Sequence, residues 1–509
     1  MKNSWIWLLL GVSSLAWLIF VPLCAPMMSG TDVFIFRDAG WNLAASGSFV
    51  SSGLIYMPDL NPHFYSHYTP LMPLLFACFL SIFPKCAYAG TIFNDLIGIA
   101  LAAISLLWVL RQPASWLRTA AAILIALFPI LFASPDRPES LALILFAVTV
   151  GVAHKQASTP ILLGLLLALT FLIHPFAAIC AAMWAVAVLF VKGYMQDGWL
   201  SRVLGQIVGM GMVAAISLTV VAAIYYWIDP TSLARFGQHA FGMHSGLGVA
   251  MNAKSKTSFV AALHKGVLGS GSLTTLTYGM IALACVLLAG WLTLKWKSLD
   301  VGELVVAAAG LCCLAMSILA FPAQYNYVLF LGIAIPLGLW ITCQPASRQG
   351  TVALGMILFF VLGQLPALGT GKIQEYEEGD SYRAAANQPA VLSAYLHSPN
   401  AIVGVSTGNY DVFKPSFNHL VNLEYLDGNP RLSDLSGLSV CYMAASGNSD
   451  ALAPIPSYLD ASSFTLIQRA PRHLWITLFG HRLMSKQWGY GCDLYVRNTP
   501  LTNSLIHRR

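Results

Sequence analysis

Long apolar runs constrain this chain more than any other feature. A membrane-spanning helix needs roughly 20 apolar residues to cross about 30 Å of hydrocarbon. Runs of that character fall at about residues 5–26, 86–110, 117–134, 138–153, 160–173, 176–191, 200–228, 273–294, 301–320, 325–342 and 350–370, eleven in all. Lipid offers no water to satisfy an unpaired peptide group, so each run is expected to be helical. Composition agrees: 57% of residues are hydrophobic and 9% charged, against about 25% charged in ordinary soluble domains. The first run resembles a signal peptide in its apolar character. It lacks a clean small-x-small cleavage site and is followed by many more runs, so it reads as a retained span.

Loop charge orients the bundle. Lys2, Arg111, Arg118, Lys155, Lys192, Arg202, Lys295, Lys297 and Arg348 all fall on one side, and Arg137 is the exception on the other. Positively charged loops stay cytoplasmic. The expected protein is therefore a multi-pass protein of the plasma (inner) membrane, with its N-terminus inside and its C-terminus on the periplasmic or extracytoplasmic side. Residues 71–83 are apolar but too short to cross, and Pro70 and Pro84 bracket them. They read as an interfacial helix on the outer surface.

This topology places three polar pieces outside: loops 27–84 and 229–272, and a tail from 371 to 509. The expected fold is an α-helical membrane domain (1–370) with an extracytoplasmic α/β domain (371–509). In the tail, 386–396 is helix-like, and 401–405, 464–468, 474–478 and 493–496 have strand character. Cys441 and Cys492 lie in this tail and would form a disulfide in an oxidising compartment. The net charge of +6 is scattered rather than clustered, which argues against a nucleic-acid partner. The chain carries no P-loop, GxGxxG, CxxC pair or HExxH. Membrane lipids are its expected surroundings.

Two acidic groups end up beside the membrane on the outer side. One is Asp32, just past the first span; the other is the run Asp136-Arg137-Pro138-Glu139, between the third and fourth spans. Charges so near hydrocarbon are costly and usually have a partner or a function. Brought together by helix packing, these carboxylates can serve as a general base. They can also hold a divalent metal such as Mg, Mn or Zn against phosphate oxygens. The structural alternatives are a helix N-cap for Asp32 and a local ion pair between Asp136 and Arg137.

Residues 32–47 read Asp-Val-Phe-Ile-Phe-Arg-Asp-Ala-Gly-Trp-Asn-Leu-Ala-Ala-Ser-Gly, and 61–73 read Asn-Pro-His-Phe-Tyr-Ser-His-Tyr-Thr-Pro-Leu-Met-Pro. The first segment resembles the first outer loop of GT-C glycosyltransferases, among them lipid A aminoarabinose transferases and protein O-mannosyltransferases. There an Asp at the end of the first span opens an amphipathic helix. The second is similar to the aromatic-Pro-Pro-Leu segment before their interfacial helix, and the Asp-Arg-Pro-Glu run falls where they carry a second acidic motif. The resemblance covers about the first 175 residues well and the rest in layout alone. Thr69 departs from relatives that place a basic residue there, so the cation for the donor phosphate falls to Arg37, Arg137, Arg235, Lys254, Lys256 or Lys265.

The resemblance implies an inverting glycosyltransferase that uses a polyprenyl-phosphate-linked sugar as donor. The acceptor would be a lipid, polysaccharide or protein. It implies Asp32 as the base or acceptor-positioning group, and Asp136 or Glu139 as the metal or acceptor ligand. Arg37, Asp38, Tyr65, His67, Tyr68, Arg137, His174, Tyr325 and Tyr327 are the candidate substrate contacts. A helix-end role competes for His174, and an aromatic belt for the tyrosines. The rival function is a transporter or flippase of lipid-linked sugars. It would need ionisable groups at the bilayer midplane, where Asp95 is the clearest example.

Overall fold

The computed structural model describes residues 4–20, 24, 32–51, 64–66, 68–111, 113–127, 137–155, 159–193, 198–237, 376–396, 402–405, 407–422, 462, 464–469, 475–478, 481–485 and 493–497, with isolated positions between 309 and 373. The four runs expected at 273–294, 301–320, 325–342 and 350–370 lie outside the described residues apart from those isolated positions. So do Cys441 and Cys492.

The first part is helical: α1 (Ser4–Phe20), α2 (Val33–Phe36), α3 (Asp38–Ser46), α4 (Leu71–Ile82), α5 (Ala89–Val109), α6 (Trp116–Leu127), α7 (Glu139–His154), α8 (Pro160–Ile173), α9 (Pro175–Gly193), α10 (Trp199–Ile228) and α11 (Ser232–Phe236). Three of them, α5, α9 and α10, are long and apolar enough to cross a membrane. Prolines set several boundaries. A residue before proline is pushed out of the helical region by the ring. His174 precedes Pro175 and is extended, with φ −158° and ψ 107°. That break separates α8 from α9. Phe83 precedes Pro84 and is likewise extended, at φ −97° and ψ 143°, which ends α4 after 12 residues. At about 1.5 Å per residue, α4 is too short to cross hydrocarbon.

The bundle core joins α1 and α5–α10 through small residues, among them Ala121, Ala122, Ala142, Ala147, Ala177, Ala181 and Ala185, with Phe146 and Trp184 filling the gaps. Small side chains let helix backbones approach closely where apolar burial alone gives no advantage over lipid. The outside is apolar too. Leu200, Leu204, Val208, Met212, Ile216, Val220 and Ile224 stand exposed at every fourth residue along α10, a surface that belongs in lipid rather than water. Basic groups mark one end: Lys192 donates to the carbonyls of Ala153 and Lys155 at the C-terminus of α7, and Arg111 lies 3.9 Å from the Trp108 ring.

A second core lies at the opposite end and is aromatic. Phe34, Phe36, Trp41, Tyr65, Tyr68, Phe76 and Phe93 share it with Tyr410, Phe413, Phe417, Leu420 and Leu494 of the tail. The tail has α12 (Gly379–Ala386), α13 (Gln388–Tyr395), β1 (Ile402–Val405), a 3-10 turn, α14 (Tyr410–Phe413), β2 (His419–Asn422), β3 (Phe464–Arg469), β4 (Trp475–Leu478), β5 (His481–Ser485) and β6 (Asp493–Arg497). Strands β1 and β2 pair in parallel across the α14 crossover. Strands β3 and β6, and β4 and β5, pair antiparallel.

Within this end, α3 crosses α4 at a near backbone contact. A Cβ on Gly40 would sit 2.5 Å from the Pro73 carbonyl oxygen. Gly40→Ala must therefore push α3 and α4 apart. It is expected to cost about 1–3 kcal/mol, the usual range for overpacking, read as a lower thermal midpoint in detergent.

Candidate active site

Asp32 stands at the start of α2, and its carbonyl accepts from the Ile35 and Phe36 amides, both at 2.9 Å. Its carboxylate makes no capping bond and instead pairs with the Arg137 guanidinium. Arg137 also reaches Glu139 Oε1 at 2.8 Å. One guanidinium thus bridges two carboxylates, the nearer in sequence at the first residue of α7 and the other 105 positions away. The Glu139 side chain is 7% exposed, Arg137 21% and Asp32 30%, so the cluster opens to solvent at Asp32. Glu139 Oε2 is buried and makes no hydrogen bond among the described residues.

Aromatic rings wall this cluster. Arg137 lies 5.9 Å from the Phe36 ring, and Phe36 meets Tyr68 edge-on at 5.2 Å. Tyr68 meets His174 at 6.0 Å. The segment before α4 is fastened to the ends of the spans: Thr69 Oγ1 donates to the Ile173 carbonyl at 2.8 Å, and Phe64 packs on Tyr225 at 4.9 Å. Arg235 donates to Ser66 Oγ at 3.4 Å and pairs with Asp229. His174 is buried, and its Nδ1 accepts the Ala177 amide at 3.3 Å, capping α9. Burial first, and Arg137 second, push its imidazole from 6.5 down to about 3. It is a neutral helix cap beside the cluster. Tyr65 is buried against Phe49, with ring centroids 5.1 Å apart, and burial pushes its hydroxyl well above the ordinary range.

Arg37 and Asp38 face the tail. Arg37 pairs with Asp411 at 2.9 Å, each side chain 1% exposed. Asp38 meets Lys414 Nζ at 2.6 Å and accepts from the Tyr410 hydroxyl at 2.7 Å and from Ser51 Oγ at 3.3 Å. Lys414 also donates to Asn42 Oδ1 and to the Asn418 carbonyl, both at 2.8 Å. These groups form a buried network between α3 and α14. Asp136, His67, Tyr325, Tyr327, Lys254, Lys256 and Lys265 lie outside the described residues. Tyr410, Asp411 and Lys414 escaped the sequence reading. Their one signal is an Asp and a Lys three residues apart, a spacing common on any helix surface.

Asp32, Asp136 and Glu139 also form the expected metal set. The guanidinium of Arg137 stands between Asp32 and Glu139, where a cation would sit. Among the described residues no group of three His, Cys, Asp or Glu side chains comes together to hold a metal.

By sequence, no family model and no curated protein matches the chain. By structure, it is similar to the oligosaccharyltransferase of Archaeoglobus fulgidus, in a crystal structure with Zn and sulfate, at 13% identity and a TM-score of 0.35. The match covers 81% of this chain and 62% of that one. The oligosaccharyltransferase AglB of the same organism, in complex with an inhibitory peptide and a dolichol-phosphate, matches at 13% identity and a TM-score of 0.33. There the shares are 82% and 64%. The chain thus spans under two thirds of the length of these structures.

Two outcomes follow from the site's burial. Lys414→Met leaves Asp38 buried without its cation and is expected to cost about 3–5 kcal/mol, as removal of one partner of a buried pair does, measured by unfolding in detergent. His174 binds a proton in the unfolded chain below pH 6.5 but in the folded chain only below about 3. Stability is therefore lost as pH falls from 6.5 toward 3. His174→Asn keeps a side-chain acceptor at the cap, and a thermal midpoint measured across that window should fall less steeply with acid than in the wild type.

Proposed function

We propose that this protein is an integral membrane glycosyltransferase. It moves a sugar from a polyprenyl-phosphate-linked donor to an acceptor on the outer face of the membrane, with inversion. The observation that carries the reading is the cluster Asp32–Arg137–Glu139, at the end of the bundle opposite Lys192 and Arg111. It combines a solvent-reachable carboxylate, a guanidinium and aromatic walls where a lipid headgroup would emerge.

In this mechanism the acceptor hydroxyl attacks the anomeric carbon while Asp32 takes its proton. The bond from the anomeric carbon to the phosphate oxygen breaks, and polyprenyl phosphate leaves with the electron pair. Arg137 is the cation paired with the base. A bidentate guanidinium suits phosphate oxygens, and moving toward the donor would release Asp32 from its ion pair. Glu139 would keep Arg137 in reach and, through its unbonded oxygen, accept from a sugar or acceptor hydroxyl. His174, neutral and capped, shapes the wall with Tyr68. The location of the catalytic face in the cell envelope rests on loop charge.

The test is mass spectrometry of envelope glycolipids and glycoproteins from cells making wild type or Asp32→Asn. Loss of a general base costs about 10²–10⁴-fold in rate, so a glycan present with the wild type should fall to trace in the variant. An unchanged profile, with the variant produced at the normal level, would remove Asp32 from the chemistry.

A further inference from the structure

The buried network between α3 and α14 has ion pairs distinct from those of the Asp32 cluster, yet it grips the helix that follows Asp32. Helix α2 is a single turn, Val33–Phe36. A turn that short has no stability of its own, so its direction comes from what holds it. Four contacts do so. Ser51 Oγ donates to the Phe34 carbonyl at 2.7 Å. The Phe34 ring meets Tyr410 edge-on at 4.9 Å. At the far end, Arg37 and Asp38 enter the two buried ion pairs with Asp411 and Lys414. Tyr410 touches both sides of the kink, through Phe34 by its ring and through Asp38 by its hydroxyl.

The charge order makes this grip specific. Adjacent Arg37 and Asp38 meet Asp411 and Lys414 with opposite signs at each contact. A slip that exchanged the partners would set like charges against each other in a buried site. Arg37 has no room to yield, because a Cβ on Gly90 of α5 would fall 1.2 Å from its Nη1. The junction of α2 and α3 is therefore packed against α5 on one side and tied to the tail on the other.

We propose that Tyr410, Asp411 and Lys414 are positioning residues for Asp32: the tail acts as a strut that sets the angle of α2 and so the place of the base. This rests on the reading of Asp32 as the base. It also gives the tail a part in the reaction without contact to substrate.

The experiment uses the full chain in lipid nanodiscs, as wild type, Asp411→Asn, Asp411→Glu and Leu494→Ala. Leu494 is buried in the same core and carries no charge, so its variant reports loss of tail stability alone. Sugar transfer is followed from a radiolabelled polyprenyl-phosphate sugar pool extracted from host membranes. Hydrogen exchange is followed at residues 33–46. A displacement of about 1 Å can cost on the order of a hundredfold in rate. In Asp411→Asn, kcat per folded molecule should fall about 10–100-fold with apparent KM for the pool within about twofold, the signature of lost transition-state geometry. Exchange at 33–46 should speed up. Asp411→Glu should recover most of the rate, and Leu494→Ala should melt earlier while keeping its kcat. An unchanged kcat in Asp411→Asn, or an equal fall in Leu494→Ala, overturns the strut. If wild type and Asp32→Asn transfer label equally, the glycosyltransferase reading is lost, and exchange at 33–46 still decides: no change in Asp411→Asn ends the proposal.

Discussion

Arg137 joins carboxylates that the chain keeps far apart, and the end of the bundle beside the aromatic core is organised around that junction. Asp32 follows the first apolar helix, and Glu139 begins α7. Two carboxylates this near hydrocarbon would repel each other and lose much of their hydration. A single guanidinium bridges both, through separate nitrogens. Because Asp32 is the most exposed member, it is the group a substrate can reach without dismantling the bundle. The partly buried cation is held from below by Glu139 and from the side by Phe36. This balance of charge, burial and access gives the site its chemical character.

The rest of the molecule divides into two cores with different physics. In the bundle, alanines and a few large aromatics let helices pack where lipid competes for every apolar contact. At the opposite end the packing is aromatic. There the core is built from Phe, Trp and Tyr drawn from both residues 34–93 and the tail. The aromatic core is therefore continuous across a sequence separation of more than 300 residues, as the Tyr410–Asp38 bond at a separation of 372 illustrates. Buried ion pairs within it add little net stability, but they punish wrong registers strongly. That division of labour suits a surface whose apolar contacts are permissive and whose geometry must not be.

Much of the helical layout was legible in sequence, since length and hydropathy set it locally. The run expected at 160–173 coincides with α8, and those at 176–191 and 200–228 fall within a residue or two of α9 and α10. Breaks at Pro84 and Pro175 follow from a steric rule that needs no tertiary information. The strands expected near 401–405, 464–468, 474–478 and 493–496 also lie on observed strands, while β2 and β5 were not foreseen. Both are short, and β2 owes its place to pairing with β1 across the α14 crossover, a partner no local pattern announces. For the site, proximity to the membrane singled out Asp32, Asp136, Arg137 and Glu139. What that signal could not convey was direction. Arg37 and Asp38 sit on the same helical stretch as Asp32, with the same polar character, yet their side chains turn to the tail.

The amino-acid sequence alone determined which stretches are helices fit for lipid, where prolines interrupt them, and that charged residues collect outside hydrocarbon. Those outcomes depend on interactions spanning a few residues and on the cost of exposing peptide groups to lipid. Only the tertiary structure decided which charge meets which. Pairing Arg137 with Asp32, Arg37 with Asp411 and Asp38 with Lys414 depends on where packed helices deliver their ends. Coulomb attraction has no sequence range, so several partners of the right sign were open to each residue. Close packing of Arg37 against Gly90 helps to fix its partner.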